Sequence, residues 1–293
     1  MSKVTLVTEP TVFVLASMQL EPEGLKDLVG WLAEYAPQCL DPEEAGALDF
    51  VRVFPHTGMR DKQQGVDLGR RLTDNELLVE LSGRKCYNSF GKKAGRNTNA
   101  GYIANLFGSP GKIPHASVLY HAKMSFFFAG VGRRVSHEII RHYVGADRTE
   151  EGSPSQESTR YTHHPGHFTV HPRIVGYPAA VEQFRDAMQS AYDNYLEYIA
   201  VEIANYADEH GGDAPKAMDR KRIYEAAAQL LPGAACTSFV WTTNPMALQK
   251  MFTERCDVAA DLEIQRFALK LRDICYARWP NLFRESNPEC DIK

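Results

Sequence analysis

Apolar residues recur along this chain with two different periods, and the points where the period changes divide it into elements. VTLV at 4–7 and TVFVLAS at 11–17 are rich in β-branched residues and read as strands. From Glu23 to Tyr35 the period lengthens to that of an amphipathic helix. Pro37, Pro42 and the turn from Pro55 to Gly58 then break the chain before the next periodic run. Helices are expected over Asp74–Leu81 and Asn99–Leu106, and SVLYHAKMSFFFAG at 117–130 is expected to contain a strand. Val135, Ile139 and Ile140 fall near helical spacing across Val131–Tyr143, and HFTVHP at 167–172 reads as strand or extended loop. The longest periodic run is Pro178–Asp208, where Phe184, Met188, Tyr192, Tyr195 and Ile199 recur at helical spacing until Gly211 and Gly212 end it. A further helix runs from Asp219 to Leu231 before Pro232. Asn244 and Pro245 open another as cap and first residue, and Asp257–Arg278 is stopped by Pro280. Helices predominate over a modest set of strands, so the pattern predicts an α/β or α+β architecture without repeats.

One stretch carries more chemistry than packing requires. Glu138 and Arg141 are three apart and Glu138 and His142 four apart, so one helix face would present a carboxylate, a guanidinium and an imidazole. Gly145 and then Gly152, Ser153 and Pro154 punctuate a loop, after which Ser155, Gln156, Ser158 and Arg160 supply neutral and cationic donors. Arginine forks suit phosphate, and Gln or Ser suits the polar edges of a base. An isolated Glu/Arg pair is an ordinary solvated face, but this density of donors marks a nucleotide clamp.

Composition narrows the classes. The 293 residues carry a formal net charge of −4, which gives no global drive toward nucleic acid. Basic residues cluster locally at Arg84, Lys85, Lys92, Lys93 and Arg96, and at Arg133 and Arg134. Six cysteines without a Cys-x-x-Cys pair fit reduced thiols of a cytoplasmic protein; Cys236 and Cys256 are nucleophile candidates by position, but both sit in patterns that favour burial. The N-terminus lacks a signal peptide's apolar core, and no apolar run is long enough for a membrane span. His163, His164, His167 and His171 offer a rival, metal-binding chemistry, which Pro165 and Pro172 disfavour; no metal is expected. No Walker A loop is present, and GVGRRVS lacks the dinucleotide fingerprint.

The ordered set SVLYHA, GVGRRVSHEIIRHY and SQESTRYT resembles the signature of the flavin-dependent thymidylate synthases. The resemblance extends upstream through CYNSFGKKAGRNTNAGYIANLFGSPGKIPHA and downstream through LPGAACTSFVWTTN and MFTERCDVAADLEIQRFALKL. It implies a thymidylate synthase-complementing-like fold, a central antiparallel sheet flanked by helices. It also implies a single elaborated catalytic domain, with a family core over 85–280 and an N-terminal extension over 1–75. The activity it implies is C5-methylation of dUMP to dTMP, with FAD as cofactor, NADPH and methylenetetrahydrofolate as co-substrates, and a homotetramer as the assembly. Carried over residue by residue, Arg255, His142, Arg141 and Ser158 are the catalytic candidates. Ser89, Ser117, Arg141, His142, Tyr143, Asn244 and Lys250 would meet the flavin. Glu138, Arg141, Gln156, Ser158, the Thr159 backbone, Arg160 and Arg255 would hold the nucleotide.

The departures bear on the substrate. Tyr143 stands where the family's Arg-His-Arg has its second arginine, and fourteen residues (144–157) separate it from Ser158 where the family has seven. Tyr120 replaces a common carboxylate, and Ala228 and Met246 replace arginines, the first of them a nucleotide contact. Arg148 in the lengthened arm is a candidate replacement for that contact. Such rebuilding raises two alternatives: a methylase that accepts UMP as well as dUMP, as in nucleoside-antibiotic pathways, and a non-catalytic nucleotide- or flavin-binding homologue.

Overall fold

The computed structural model describes residues 3–35, 62–63, 66–67, 72–87, 99–106, 116–139, 142 and 154–283. In chain order the elements are β1 (Thr5–Val7), β2 (Thr11–Ser17), α1 (Pro22–Tyr35), β3 (Lys62–Gln63), β4 (Val66–Asp67), α2 (Asp74–Tyr87) and α3 (Asn99–Leu106). A 3-10 segment (Ala116–His121) leads to β5 (Met124–Gly132), α4 (Arg133–Ile139), β6 (Ser155–Gln156), β7 (His167–Thr169), α5 (Pro172–Val175) and α6 (Pro178–Glu209). The chain closes with α7 (Ala217–Ala227), a 3-10 turn (Ala228–Leu230), β8 (Cys236–Thr243), α8 (Pro245–Arg255), α9 (Leu262–Arg278) and α10 (Pro280–Phe283). Strands β2, β5, β8 and β6 lie side by side in that order in an antiparallel four-stranded sheet. By contact the chain resolves into two compact units.

The first unit comprises residues 1–14, 126–241 and 258–268. Its core is built on the α6 stripe expected from the sequence. Met188, Tyr192, Tyr195 and Ile199 are buried against Val4, Phe168, Ile223, Ala227 and Ala235. Burying four such side chains contributes roughly 6–12 kcal/mol as an upper bound. β1 and β7 form a separate parallel pair, in register Thr5 with His167 and Val7 with Thr169. The chain enters β7 through Gly166, whose φ of +79° and closeness to the Tyr192 ring (2.8 Å from where a Cβ would stand) admit glycine alone.

Several elements differ from the sequence expectation: α9 begins at Leu262 rather than Asp257, α2 runs on to Tyr87, and three others differ for reasons the structure shows. The regular helix expected across Val131–Tyr143 is α4, which spans Arg133–Ile139, because β5 continues through Gly132. Gly132 permits that extension, since a Cβ there would sit 2.7 Å from Glu263 Oε1 and 2.8 Å from Thr169 Oγ1. The helix expected over Asp219–Leu231 ends at Ala227 and tightens into a 3-10 turn. Strand β8 has no counterpart in the sequence reading because two of its buried positions are polar: Thr237, Phe239, Trp241 and Thr243 all face inward.

The second unit comprises residues 15–125, 242–257 and 269–293. Here α2 packs on α3 and on the 3-10 segment, which also meets α8. A buried polar network ties these helices together. Glu80 Oε1 accepts from Arg84 Nε at 2.7 Å and lies 2.6 Å from Arg84 Nη2, both side chains being 1% exposed. Asn99 Nδ2 donates to Glu80 Oε2 at 2.7 Å, Asn281 Nδ2 donates to Asn99 Oδ1 at 2.9 Å, and Glu76 Oε1 accepts from the Asn281 N–H at 3.0 Å. Arg84 also lies over the Tyr102 ring at 4.3 Å. Arg84, the first residue of the basic cluster, is thus an internal strut, and Lys92, Lys93 and Arg96 lie outside the described residues. Among the described residues no helix is long and apolar enough to cross a membrane.

Candidate functional site

In the first unit, β6 pairs antiparallel with β8, setting Ser155 opposite Val240 and Gln156 opposite Phe239. That register brings Gln156 between two hydroxyls: its Nε2 donates to Ser136 Oγ at 3.0 Å and to Thr237 Oγ1 at 3.1 Å. Ser136 Oγ in turn donates to the Arg133 carbonyl at 2.9 Å. Both hydrogens of the Gln156 amide are thereby committed, and the side chain is held in one orientation. Next along the chain, Glu157 N donates to Ser238 O, while Arg133 Nη2 donates to the Glu157 carbonyl at 2.8 Å. Burial lowers the Arg133 pKa, and the Glu157 charge opposes that shift.

From Ser158 the backbone turns sharply. The Ser158 carbonyl accepts from Tyr161 N at 3.0 Å, Thr162 N at 3.0 Å and Thr162 Oγ1 at 2.9 Å, and Ser158 Oγ accepts from Arg160 N at 3.4 Å. Ser158, Thr159 and Arg160 are thus presented on one turn directly after the fixed Gln156. The turn is followed by His164, whose N–H donates to the Tyr195 hydroxyl while its carbonyl accepts from Tyr192, both at 3.1 Å. α6 therefore anchors the far end of the segment.

Glu138 is half-buried in the last turn of α4, and His142 lies beyond that helix with its side chain buried, 2% exposed. Arg141 and Tyr143 are outside the described residues, as is Arg148. In the second unit, Asn244 caps α8: its Oδ1 accepts from Ala247 N at 2.9 Å, with Pro245 in the first turn. Lys250 Nζ stands 3.9 Å from Glu254, and Arg255 closes the last turn of α8, where a cation complements the helix carbonyls. Ser117 is exposed on the 3-10 segment packed on α8, and Ser89 lies outside the described residues.

Two rival chemistries receive separate structural explanations. Burial, with the Glu263 charge adding to it, pushes the Cys236 thiol up to about 12, so it is no thiolate at neutral pH. Cys256 is 4% exposed at the end of α8. The histidines disperse: His171 Nδ1 caps α5 by accepting from Arg173 N, and His164 Nδ1 accepts from Gly166 N at 3.2 Å. His163 is exposed beside Tyr195. Among the described residues no three His, Cys, Asp or Glu side chains gather as a metal site.

Over residues 68–281 the chain matches the model of the thymidylate synthase complementing protein family. It belongs to that family. Curated relatives named flavin-dependent thymidylate synthase agree. That of Mycolicibacterium vanbaalenii is 35% identical over 211 residues, 71% of this chain and 78% of its own. That of Mycobacterium tuberculosis (strain ATCC 25177 / H37Ra) is 34% identical over 196 residues, 66% of this chain and 72% of its own. The fold is also that of the UMP/dUMP methylase PolB from Streptomyces cacaoi. The structure with 5-Br dUMP gives a TM-score of 0.56 at 15% identity, covering 97% of this chain and 96% of that one. The structure with 5-Br UMP gives 0.55 at 16% identity, covering 98% of both. As a thymidylate synthase complementing protein the chain is an enzyme of methyltransferase type, which sets aside the non-catalytic alternative.

Sequence reasoning finds the residues displayed by the turn but misses those that hold it. Ser136, Thr237, Tyr192 and Tyr195 stand out in sequence, if at all, as neighbours or core. Their partners lie 20, 81, 28 and 31 residues away, beyond any local pattern. Arg133 looks like part of a surface cluster and is a half-buried clamp on Glu157.

Proposed function

We propose that this enzyme methylates C5 of uracil in a nucleoside monophosphate, dUMP to dTMP, with methylenetetrahydrofolate as carbon donor and NADPH as reductant. The Ser158–Thr162 turn, fixed behind Gln156, is the observation that carries this reading. It presents a hydroxyl, a backbone stretch and a guanidinium in sequence, the donor set suited to a nucleotide. Gln156, Ser158, Thr159 and Arg160 hold the nucleotide, with Glu138 and Arg141 contributing from α4 and the residues after it. Arg255 stabilises the negative charge that develops on the uracil carbonyl as the ring is activated.

FAD supplies the hydride when it is bound. The described donors fit it in kind: Ser117 offers an exposed hydroxyl and Lys250 an ammonium on two segments that pack together, which suits a flavin's pyrophosphate. Asn244, whose side-chain oxygen caps α8, joins the proposed flavin set by family resemblance. Arg141, His142, Ser89 and Tyr143 complete the proposed flavin contacts, in a homotetramer whose sites draw on several subunits.

A second substrate, UMP, is favoured by one observation. PolB, which shares the fold at 15% identity, is a UMP/dUMP methylase. Ala228 in place of an arginine is consistent with a rebuilt nucleotide pocket. The test supplies the flavin-loaded protein with methylenetetrahydrofolate, NADPH and either dUMP or UMP, and reads C5 methylation by mass spectrometry. Methylation of dUMP alone supports the thymidylate synthase reading, and comparable rates on both support the broader methylase. Methylation of neither refutes the proposal.

A further inference from the structure

Within the first unit a cavity of about 330 Å3 opens beside the Ser158–Thr162 turn. Arg160 and Tyr161 line it from the turn, and Ala217, Arg220, Lys221 and Tyr224 line it from α7. Tyr161 is 64% exposed, with Arg160 over its ring at 5.6 Å and Lys221 at 5.5 Å. Glu225 Oε1 is shared by Lys221 Nζ at 3.6 Å and Arg160 Nη1 at 3.7 Å. Three cations against that one carboxylate leave the cavity doubly positive. A phosphomonoester carries about −1.5 to −2 at neutral pH, which matches that charge. Planar guanidinium forks on two sides suit its oxygens.

α7 carries three consecutive cations, and they do different work. Arg222 lines a separate hollow with Glu202, Glu209 and Asp219, where acids surround it. Arg220 and Lys221 face the cavity with Arg160. Ala228, at the end of the same helical run, brings no charge. We propose that Arg220 and Lys221, together with Arg160, seat the phosphate of the nucleotide substrate. The seat lies about 12 Å up the helix from Ala228, eight residues at the helical rise. This inference rests on the nucleotide methylase reading and assigns the anchoring charge to residues of this chain's own helix.

The test titrates the flavin-loaded protein calorimetrically with dUMP and, separately, with deoxyuridine, which lacks the phosphate. Arg220→Ala and Lys221→Ala should each weaken dUMP binding about tenfold, and the double variant about a hundredfold. Deoxyuridine binding should not change, and the KM for dUMP should rise with kcat preserved. Arg222→Ala serves as the charge control and should bind dUMP like the wild type. A double variant that binds dUMP as tightly as Arg222→Ala, or that loses dUMP and deoxyuridine alike, overturns the inference while the methylase reading stands on wild-type turnover. A wild-type protein that binds neither dUMP nor UMP overturns both.

Discussion

Acidification should loosen this fold through one histidine. The His164 ring is 4% exposed, packed on Phe168 at 5.2 Å, and its Nδ1 already accepts from Gly166. Burial lowers its pKa from 6.5 to about 4; the Cys236 backbone and the Glu157 charge oppose that shift, and Arg133 and His167 assist it. The unfolded chain takes up the proton near 6.5, whereas the folded chain refuses it until about 4. His164 therefore adds stability that is complete above pH 6.5 and is lost as pH falls toward 4. A shift of that size corresponds to about 3 kcal/mol. The assay is urea unfolding at a series of pH values for the wild type and for His164→Asn, comparing slopes because lost ring packing lowers the variant at every pH. The wild type should lose about 3 kcal/mol more than the variant across this window. Parallel curves would refute the reasoning.

Four other substitutions have outcomes set by the same structure. Glu80→Ala removes a buried carboxylate to which both Arg84 and Asn99 donate and should cost about 3–5 kcal/mol in unfolding free energy, whereas Glu80→Met with Arg84→Met should recover most of it. Asn244→Ala should lose about 1 kcal/mol from the α8 cap, read by thermal unfolding. Cys236→Ala should leave turnover intact, because a thiol held near 12 is not the nucleophile; abolished turnover in a folded variant would contradict this. Arg255→Ala should lower kcat by about 10²–10³-fold if the guanidinium stabilises uracil charge, and near-normal turnover would rule that role out.

Legibility in the sequence tracks range. The α6 stripe can be read because its packing face repeats every three to four residues without interruption, and the structure buries Met188, Tyr192, Tyr195 and Ile199. The Gln156–Arg160 stretch stands out because so many donors crowd a short loop. Strand β8 is hidden by Thr237 and Thr243, whose hydroxyls break the hydrophobic alternation although both are buried. Arg84 is buried although a charge in sequence carries no sign of its partner; Glu80 one helical turn earlier, itself held by Asn99, pairs with it in the interior. The clamp on Gln156 is invisible for the same reason, since Ser136 and Thr237 reach it only through the sheet register.

The turn after Ser158 has a consequence for how such an enzyme could diversify. Its hydrogen bonds run to the carbonyl and hydroxyl of Ser158 from residues 160, 161 and 162, so among the described residues the Thr159 side chain is no part of the scaffold. Position 159, half-buried, can therefore change polarity at similar size while the loop keeps its hydrogen bonds. Swapping Thr for residues of like volume there would alter what the loop offers a ligand at little risk to folding, making it a natural place for one lineage to drift from one pyrimidine nucleotide toward another.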